Sequence, residues 1–324
     1  MSGPAGSEKT SPRPLAAANF SMVLGLAGLG QAWRAATALL HVPPLIGEVV
    51  IALAAGIWAA LLLGYLASAF RAPAAMCEEF RHPVQGATPA LVGIATLLMV
   101  PAVRPYSEVA AGILLVAGVS WHLLFAMWHS GLGWQSGRDL HSLSPTVYLP
   151  TVAGNFTSSA AFGVMGWSDI GWCFMGAGFF SWLALESVVL QRLWDSSGFP
   201  SAQRSSIGIH LAPPAVAGAS WLTLVAAPDH WVIMLWGYGL FQLALGCRLV
   251  GWLRAQPFSV AYWSYTFGVS STAVIAVKLA LARSGALEAV DTPVLILATL
   301  FEGYLLARTV LQLVGALWMA VRPA

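Results

Sequence analysis

QPFSVAYWSYTFGVSSTAVIAVKLALA, residues 256–282, is the stretch whose reading decides the fold. It is long enough to cross a bilayer, yet Ser259, Ser264, Thr266, Ser270, Ser271 and Thr272 stand among its apolar residues. Phe267 sits beside Gly268 in the middle of that polar track. Small hydroxyls next to a backbone that Gly lets come close are expected of a helix facing water rather than lipid, and a bulky ring in such a path closes it by excluding water. Read alone, the same residues also fit a buried helix with an ordinary core Phe. The remainder of the chain decides between the two.

Hydrophobic residues make up 58% of the 324 and charged residues 9%, against roughly 45–50% and about 25% in soluble domains. So few charges cannot cover a soluble surface, so the chain is a polytopic membrane protein whose first partner is the lipid bilayer. A net charge of +2 without a basic run argues against nucleic acid as a partner. Cys77, Cys173 and Cys247 form no CxxC or Cys/His cluster; they read as packing residues, and no metal or cofactor is expected. Residues 1–14, MSGPAGSEKTSPRP, are small, polar and Pro-rich, which predicts a disordered cytoplasmic tail ahead of a single transmembrane domain over 15–324. They lack the basic, apolar and cleavage-site order of a secretory signal.

Working outward from residues 256–282, apolar stretches fall at about 18–40, 46–70, 88–102, 107–130, 145–165, 169–191, 205–227, 230–252, 258–282 and 293–320. That pattern predicts an all-α protein with ten transmembrane helices. With a cytoplasmic amino terminus, ten of the fifteen basic residues fall on the cytoplasmic side, namely Lys9, Arg13, Arg71, Arg81, Arg138, Arg192, Arg204, Arg248, Arg254 and Arg322. The opposite side receives Arg34, Arg104, Lys278 and Arg283, while Arg308 lies inside the tenth span. The positive-inside bias thus places both termini in the cytoplasm, as an even number of spans requires.

Odd and even spans differ in their helix breakers. Pro89 and Pro101 mark the third span, Pro145 and Pro150 the fifth, and Pro213 and Pro214 the seventh; Gly25, Gly28 and Gly30 mark the first and Gly268 the ninth. Even spans carry only Pro228 and Pro293, at their starts. Pro and Gly free backbone groups that a membrane tolerates only against protein or a water-filled cavity. Five helical hairpins are therefore expected, with the odd helices around a central pore and the even ones facing lipid.

Ionisable residues inside the spans are His122, His129, Glu186, His210, Glu302 and Arg308, each a candidate site because such groups are costly in hydrocarbon. Only His210 lies on an odd span; beside Pro213, it is the candidate pH modulator or a donor to a freed carbonyl. Glu186, Glu302 and Arg308, on even spans, read as interhelical pairing or contact with a neighbouring subunit. No GxSxG, HExxH or phosphate loop occurs, and GLAGLG from Gly25 follows no strand, so the chain is not read as an enzyme. Those glycines either allow close helix approach or leave room in a pore. With no fixed acid or base along most of the odd set, passive flow is expected. Hydroxyls, exposed amide groups and the lack of an acidic ring favour an anion.

Six blocks then carry a resemblance: FSMVLGLAGLGQAWR from Phe20, EFRHPV from Glu79, YLPTVAGNF from Tyr148, GAGFFSWLALESVVLQRL from Gly176, SIGIHLAPPAVA from Ser206 and QPFSVAYWSYTFGVS from Gln256. In that order they resemble the bacterial tellurite-resistance/dicarboxylate transporter family, which also contains the plant guard-cell slow anion channels. The resemblance implies a homotrimer in the bacterial inner membrane, each subunit with five hairpins around its own pore. It implies small monovalent anions such as chloride and nitrate as the permeant species, and a plugging Phe that the YTFG step places at Phe267. Pore-lining candidates are Gly25, Gly28, Pro150, Asn155, Pro213, Ser264, Gly268 and Ser271, with Gly25 and Gly28 as the wall for the ring. The chain departs from the family at Ser187, where Pro is usual, and at His210, where an uncharged residue is usual. A proton-coupled secondary transporter of oxyanions or C4-dicarboxylates such as malate is the alternative.

Overall fold

The computed structural model describes residues 15–135, 143–195, 198–254, 256–282 and 288–321. The tail expected over 1–14 and the basic residues Lys9, Arg13, Arg138, Arg283 and Arg322 lie outside them. Among the described residues all regular structure is helical. The helices are α1 (Ser21–Leu40), α2 (Leu45–Arg71), α3 (Pro73–Arg81), α4 (Ala90–Val103), α5 (Glu108–Gln135), α6 (Gly154–Val164), α7 (Ser168–Leu193), α8 (Ile207–Leu211), α9 (Pro213–Trp221), α10 (His230–Leu253), α11 (Thr266–Ala282) and α12 (Glu288–Val321).

Two rings of helices follow from the packing. α1, α4, α6, α9 and α11 each pack on the next, and α11 closes back on α1. Around them stand α2, α5, α7, α10 and α12, each packed on the inner segment that precedes it. Six segments are long and apolar enough to cross a membrane by length and composition: the five outer helices and residues 260–282. Of the most apolar part of each outer helix only 22–28% is buried, whereas 67% is buried over 260–282. Exposed Phe180, Leu183, Leu124, Leu297 and Leu311 show the outer faces to be apolar, and such a surface is stable only against hydrocarbon or protein.

Inner segments after the first are short or broken, whereas α1 runs unbroken for 20 residues through Gly25, Gly28 and Gly30, so these glycines do not break the first span. α4 carries Pro101 inside its 14 residues. A 3-10 turn at Pro145–Val147 and a π-helical turn at Leu149–Ala153 precede the 11 residues of α6. Pro213 and Pro214 separate α8 from α9, because each ring removes an N–H donor and obstructs the preceding turn. The ninth apolar stretch is likewise not one α-helix from its start: Val260–Tyr265 is a 3-10 turn, and Phe267 lies in the first turn of α11.

Three features depart from the sequence reading. α3 is a short helix where no element was expected; Pro73 at its start suits a first helical turn, and Glu79 near its end accepts from Ala17 N (2.7 Å) and Tyr65 Oη (3.1 Å). It thereby ties the entry of α1 to α2. α12 begins at Glu288, so Pro293 falls inside its first two turns rather than at its start. The three cysteines are exposed rather than packing residues; Cys173 on α7 and Cys247 on α10 lie on outer helices, where an apolar thiol needs no protein partner in hydrocarbon.

Charge is sorted along the outer helices. Glu48, Glu108 and Asp169 stand in the first turns of α2, α5 and α7, and Asp229 caps α10 through Val232 N at 3.1 Å. Arg71, Arg192 and Arg254 stand at or just past the opposite ends of α2, α7 and α10. Both placements suit the helix dipoles. At the acidic end, Arg34 of α1 pairs with Glu48 of α2 at 2.7 Å and donates to Pro101 O (3.0 Å) and Ala102 O (3.2 Å) in the last turn of α4. Tyr106 also donates to Glu48. One guanidinium thereby satisfies carbonyls that the helix end leaves open.

Candidate functional site

A cavity of about 340 Å³ opens among the amino-terminal turns of the inner segments and their lead-in loops, and all five contribute to its wall. Ser21, Thr88, Thr146, Ser205 and Ser264 line it three to eleven residues before Leu24, Leu91, Val152, Val216 and Phe267 on the same segments. A hydroxyl-bearing turn thus precedes an apolar turn on every segment. Phe267 belongs to the apolar group and is 7% exposed. Among the described residues no Asp, Glu, Lys or Arg borders the cavity.

Hydrogen-bond donors here come from fewer places than the hydroxyl count suggests. Ser21 donates to Ala18 O (2.8 Å), Thr88 to Gln85 O (2.8 Å), Thr146 to Val84 O (2.9 Å) and Ser264 to Ser205 O (2.5 Å). A hydroxyl has one proton, so each would have to rotate to meet an anion. His82, Gln85 and Gln203 also border the cavity. His82 Nδ1 accepts from Val84 N (3.2 Å) and Gln85 N (2.9 Å), which places the proton of a neutral ring on Nε2 and makes that atom a donor. The sequence reading passed over these three because they lie outside the apolar spans. Their signal was position: His82 lies within EFRHPV, Gln85 directly follows it and Gln203 stands three residues before SIGIHLAPPAVA. The amino ends of α1, α4 and α11 also meet the cavity, and a helix amino terminus carries partial positive charge.

Of the residues singled out from sequence, Phe267, Ser264 and Pro213 border the cavity. Gly25 and Gly28 do not; a Cβ at Gly25 would overlap the Thr266 side chain and one at Gly28 the Ser270 side chain. Close approach, rather than a wall for the ring, is what these glycines provide: α1 lies directly on α11 because neither has a side chain there. Thr266, Ser270 and Thr272 are fully buried and donate to Trp263 O (2.8 Å), Phe267 O (3.3 Å) and Gly268 O (2.8 Å) on their own chain segment. Much of the expected polar track is therefore a packing seam. Gly268 faces Ala212, whose Cα would lie 3.0 Å from an added Cβ, and Ser271 is buried. Pro150 is buried within the π-helical turn. Asn155 turns away from the cavity lining: its Oδ1 lies 3.1 Å from His122 Nε2, and its Nδ2 donates to Thr151 O at 2.6 Å.

His210 is buried and lies off the cavity lining, stacked on Tyr148 at 6.0 Å and 17°, with Nδ1 4.0 Å from Glu186 Oε2. That oxygen accepts from Tyr148 Oη (2.7 Å) and Trp182 Nε1 (2.8 Å). Among the described residues His210 Nδ1 has no hydrogen-bond partner, so the expected bond to a freed carbonyl is not made there through that atom. Glu302 of α12 is fully buried behind Gly25, with no hydrogen-bond partner on either oxygen among the described residues.

Fold and site together define a multi-pass helical membrane protein whose inner ring encloses a cavity with no Asp, Glu, Lys or Arg on its wall among the described residues. The chain belongs to the voltage-dependent anion channel family, SLAC1, which it matches over residues 15–310. It is similar to the tellurite resistance protein TehA homolog of Haemophilus influenzae, 31% identical over 306 residues that cover 94% of this chain and 92% of that one. Guard cell S-type anion channel SLAC1 of Arabidopsis thaliana is 25% identical over 278 residues, 82% of this chain and 50% of that protein. S-type anion channel SLAH3 of the same plant is 23% identical over 311 residues, 90% of this chain and 47% of that protein. The chain thus spans about half the length of these two plant relatives. Anion transport is the activity supported at the level of the family.

Proposed function

We propose that this chain is a gated channel for small monovalent anions such as chloride and nitrate, with the pore inside each subunit and Phe267 as its gate. The carrying observation is the cavity itself: all five inner segments line it, no Asp, Glu, Lys or Arg borders it among the described residues, and its apolar turn holds Phe267. On this reading each of the ten helical stretches crosses the bilayer, giving five hairpins with both termini cytoplasmic in the inner membrane, and the basic ends of the outer helices face the cytoplasm. Three such subunits would form a homotrimer.

Anion preference has a physical basis in the amino ends of α1, α4 and α11 and in the donors of His82, Gln85 and Gln203, with no carboxylate to repel an anion. An apolar ring at the end of a hydroxyl-lined vestibule gates by excluding water and by bulk. The alternative of proton-coupled transport needs a titratable group in the path; His210 lies off the cavity lining against Glu186, which leaves His82 at the cavity as the group it would have to use. Recording wild type and Phe267→Ala in a planar bilayer with mixed chloride, nitrate and malate tests the reading. The variant is expected to raise chloride or nitrate current at least about tenfold, equivalent to lowering the barrier by about 1.4 kcal/mol. Current equal to wild type removes Phe267 as the gate, and saturable uptake that collapses with the proton gradient replaces the channel by the transporter.

A further inference from the structure

A second cavity, about 880 Å³, lies on the outside of the molecule between α10 and α12, with α11 behind it. α10 and α12 each pack on α11 and hardly touch one another, so the groove opens toward the bilayer; Leu297 and Val250 on its sides are exposed, while Leu211 and Leu305 at its back are buried. Its lining is apolar from Leu240 and Val294 onward and turns polar at Arg254 and Arg308. From Leu240 to Arg254 is fourteen residues of α10 and its cap, or about 21 Å of helix rise. That exceeds half of a hydrocarbon core about 30 Å thick, so the groove spans roughly one leaflet.

The two arginines lie at one level. Arg254 follows the last residue of α10. Arg308 stands over the Phe258 ring at 4.9 Å and donates to Tyr304 Oη at 2.9 Å, while Gln312, one turn on, donates to Phe258 O at 2.9 Å. Phe258 precedes α11, so Arg308 is level with the membrane-surface end of that helix although it sits within α12. α12 has 34 residues, about 51 Å of rise, and so extends well past the core. Among the described residues no carboxylate lies within ion-pair distance of either arginine.

We infer that this groove binds an anionic phospholipid, its phosphate held between Arg254 and Arg308 and an acyl chain laid along Leu243, Leu297 and Val269. Charge complementarity selects the lipid: two guanidinium groups without a carboxylate partner among the described residues, above an apolar channel of one leaflet's length, match a negative phosphate joined to a hydrocarbon chain. A second copy of the chain is the competing occupant. The acids opening α2, α5, α7 and α10 lie at the other end of the helices, and a copy related by an axis along the membrane normal would keep them there. Glu78 on α3 is exposed at the basic end, so the experiment must separate the two. Lipid in the groove touches Tyr265 and Val269, on either side of Phe267 in the sequence.

The test is native mass spectrometry of the detergent-purified full chain with phosphatidylglycerol, phosphatidylcholine or glycerol 3-phosphate added. Phosphatidylglycerol is expected to stay bound, phosphatidylcholine to be retained far less, and glycerol 3-phosphate not to displace it. Each basic residue near a headgroup strengthens binding about fivefold, so Arg254→Gln/Arg308→Gln is expected to weaken it about thirtyfold and each single change about fivefold. Arg248→Gln, exposed on α10 but outside the groove, is expected to bind as wild type, and Leu297→Trp to bind less by filling the channel. Folding of each variant is checked by size exclusion, and the single changes decide the matter should the double one fail to fold. Equal retention of the two lipids, or full binding by a folded double or single arginine variant, overturns the site. Displacement by glycerol 3-phosphate reduces it to a free-anion site, and a change of oligomeric mass in Leu297→Trp assigns the groove to a second copy.

Discussion

Inner and outer helices of this protein obey different rules although both are apolar. α7, on the outside, runs 26 residues without a break and leaves Phe180 and Leu183 exposed. The seventh stretch, on the inside, is divided at Ala212 between α8 and α9, yet nearly all of it is buried. A helix in lipid must satisfy every backbone group within itself, so length and continuity are enforced. An inner helix can surrender hydrogen bonds at Pro213 because neighbouring protein or a cavity receives the freed groups. Continuity separates these two stretches, although not every inner helix from the outer ones, since α1 is unbroken over 20 residues.

Changes on the two sides should differ accordingly. The largest effect is expected at Phe267, where Phe267→Ala should raise current while leaving the fold intact; a variant that instead fails to assemble would make the ring a core residue like its neighbours. Next comes the seam between α1 and α11. Gly28→Leu must drive a side chain into Ser270 and is expected to cost about 1–3 kcal/mol, read as a lower Tm in detergent. An unchanged Tm would mean that the seam yields freely. Tyr148→Phe removes a donor from the partly buried Glu186 and is expected to cost about 1–2 kcal/mol, read as a lower Tm; Tyr148 itself borders the cavity, so a change in ion selectivity would show that its hydroxyl also serves the path. On the outer ring, Phe180→Leu, at a site 72% exposed, is expected to stay within about 0.5 kcal/mol of wild type. A larger loss there would reveal a protein partner on that face.

His210 and Glu186 sharpen the comparison from another direction. Each is a costly group in a membrane protein, and each is found where an inner and an outer helix meet rather than in the cavity. Glu302 follows the same pattern behind Gly25. Among the described residues the inner ring is thus kept free of Asp, Glu, Lys and Arg on its cavity side while its back carries polar contacts between the rings.

Residue type and order alone determined that the chain is helical and membrane-bound, roughly where each helical stretch lies, and that Pro interrupts inner ones such as the seventh. Those features are local: hydropathy over about twenty residues and the stereochemistry of Pro act wherever the segment ends up. The importance of residues 256–282 was legible for the same reason, together with the YTFG step. What a side chain faces is not local. Ser264 and Ser270 are alike in sequence, yet the first borders the cavity and the second is pressed against Gly28; the choice depends on the packing of α1 against α11, residues more than two hundred positions apart. Asn155 turned to His122, and His82 became a donor at the cavity through two backbone contacts. Only the tertiary structure decided these, because closing the ring fixes which face of each helix meets its neighbours and which is left to the cavity.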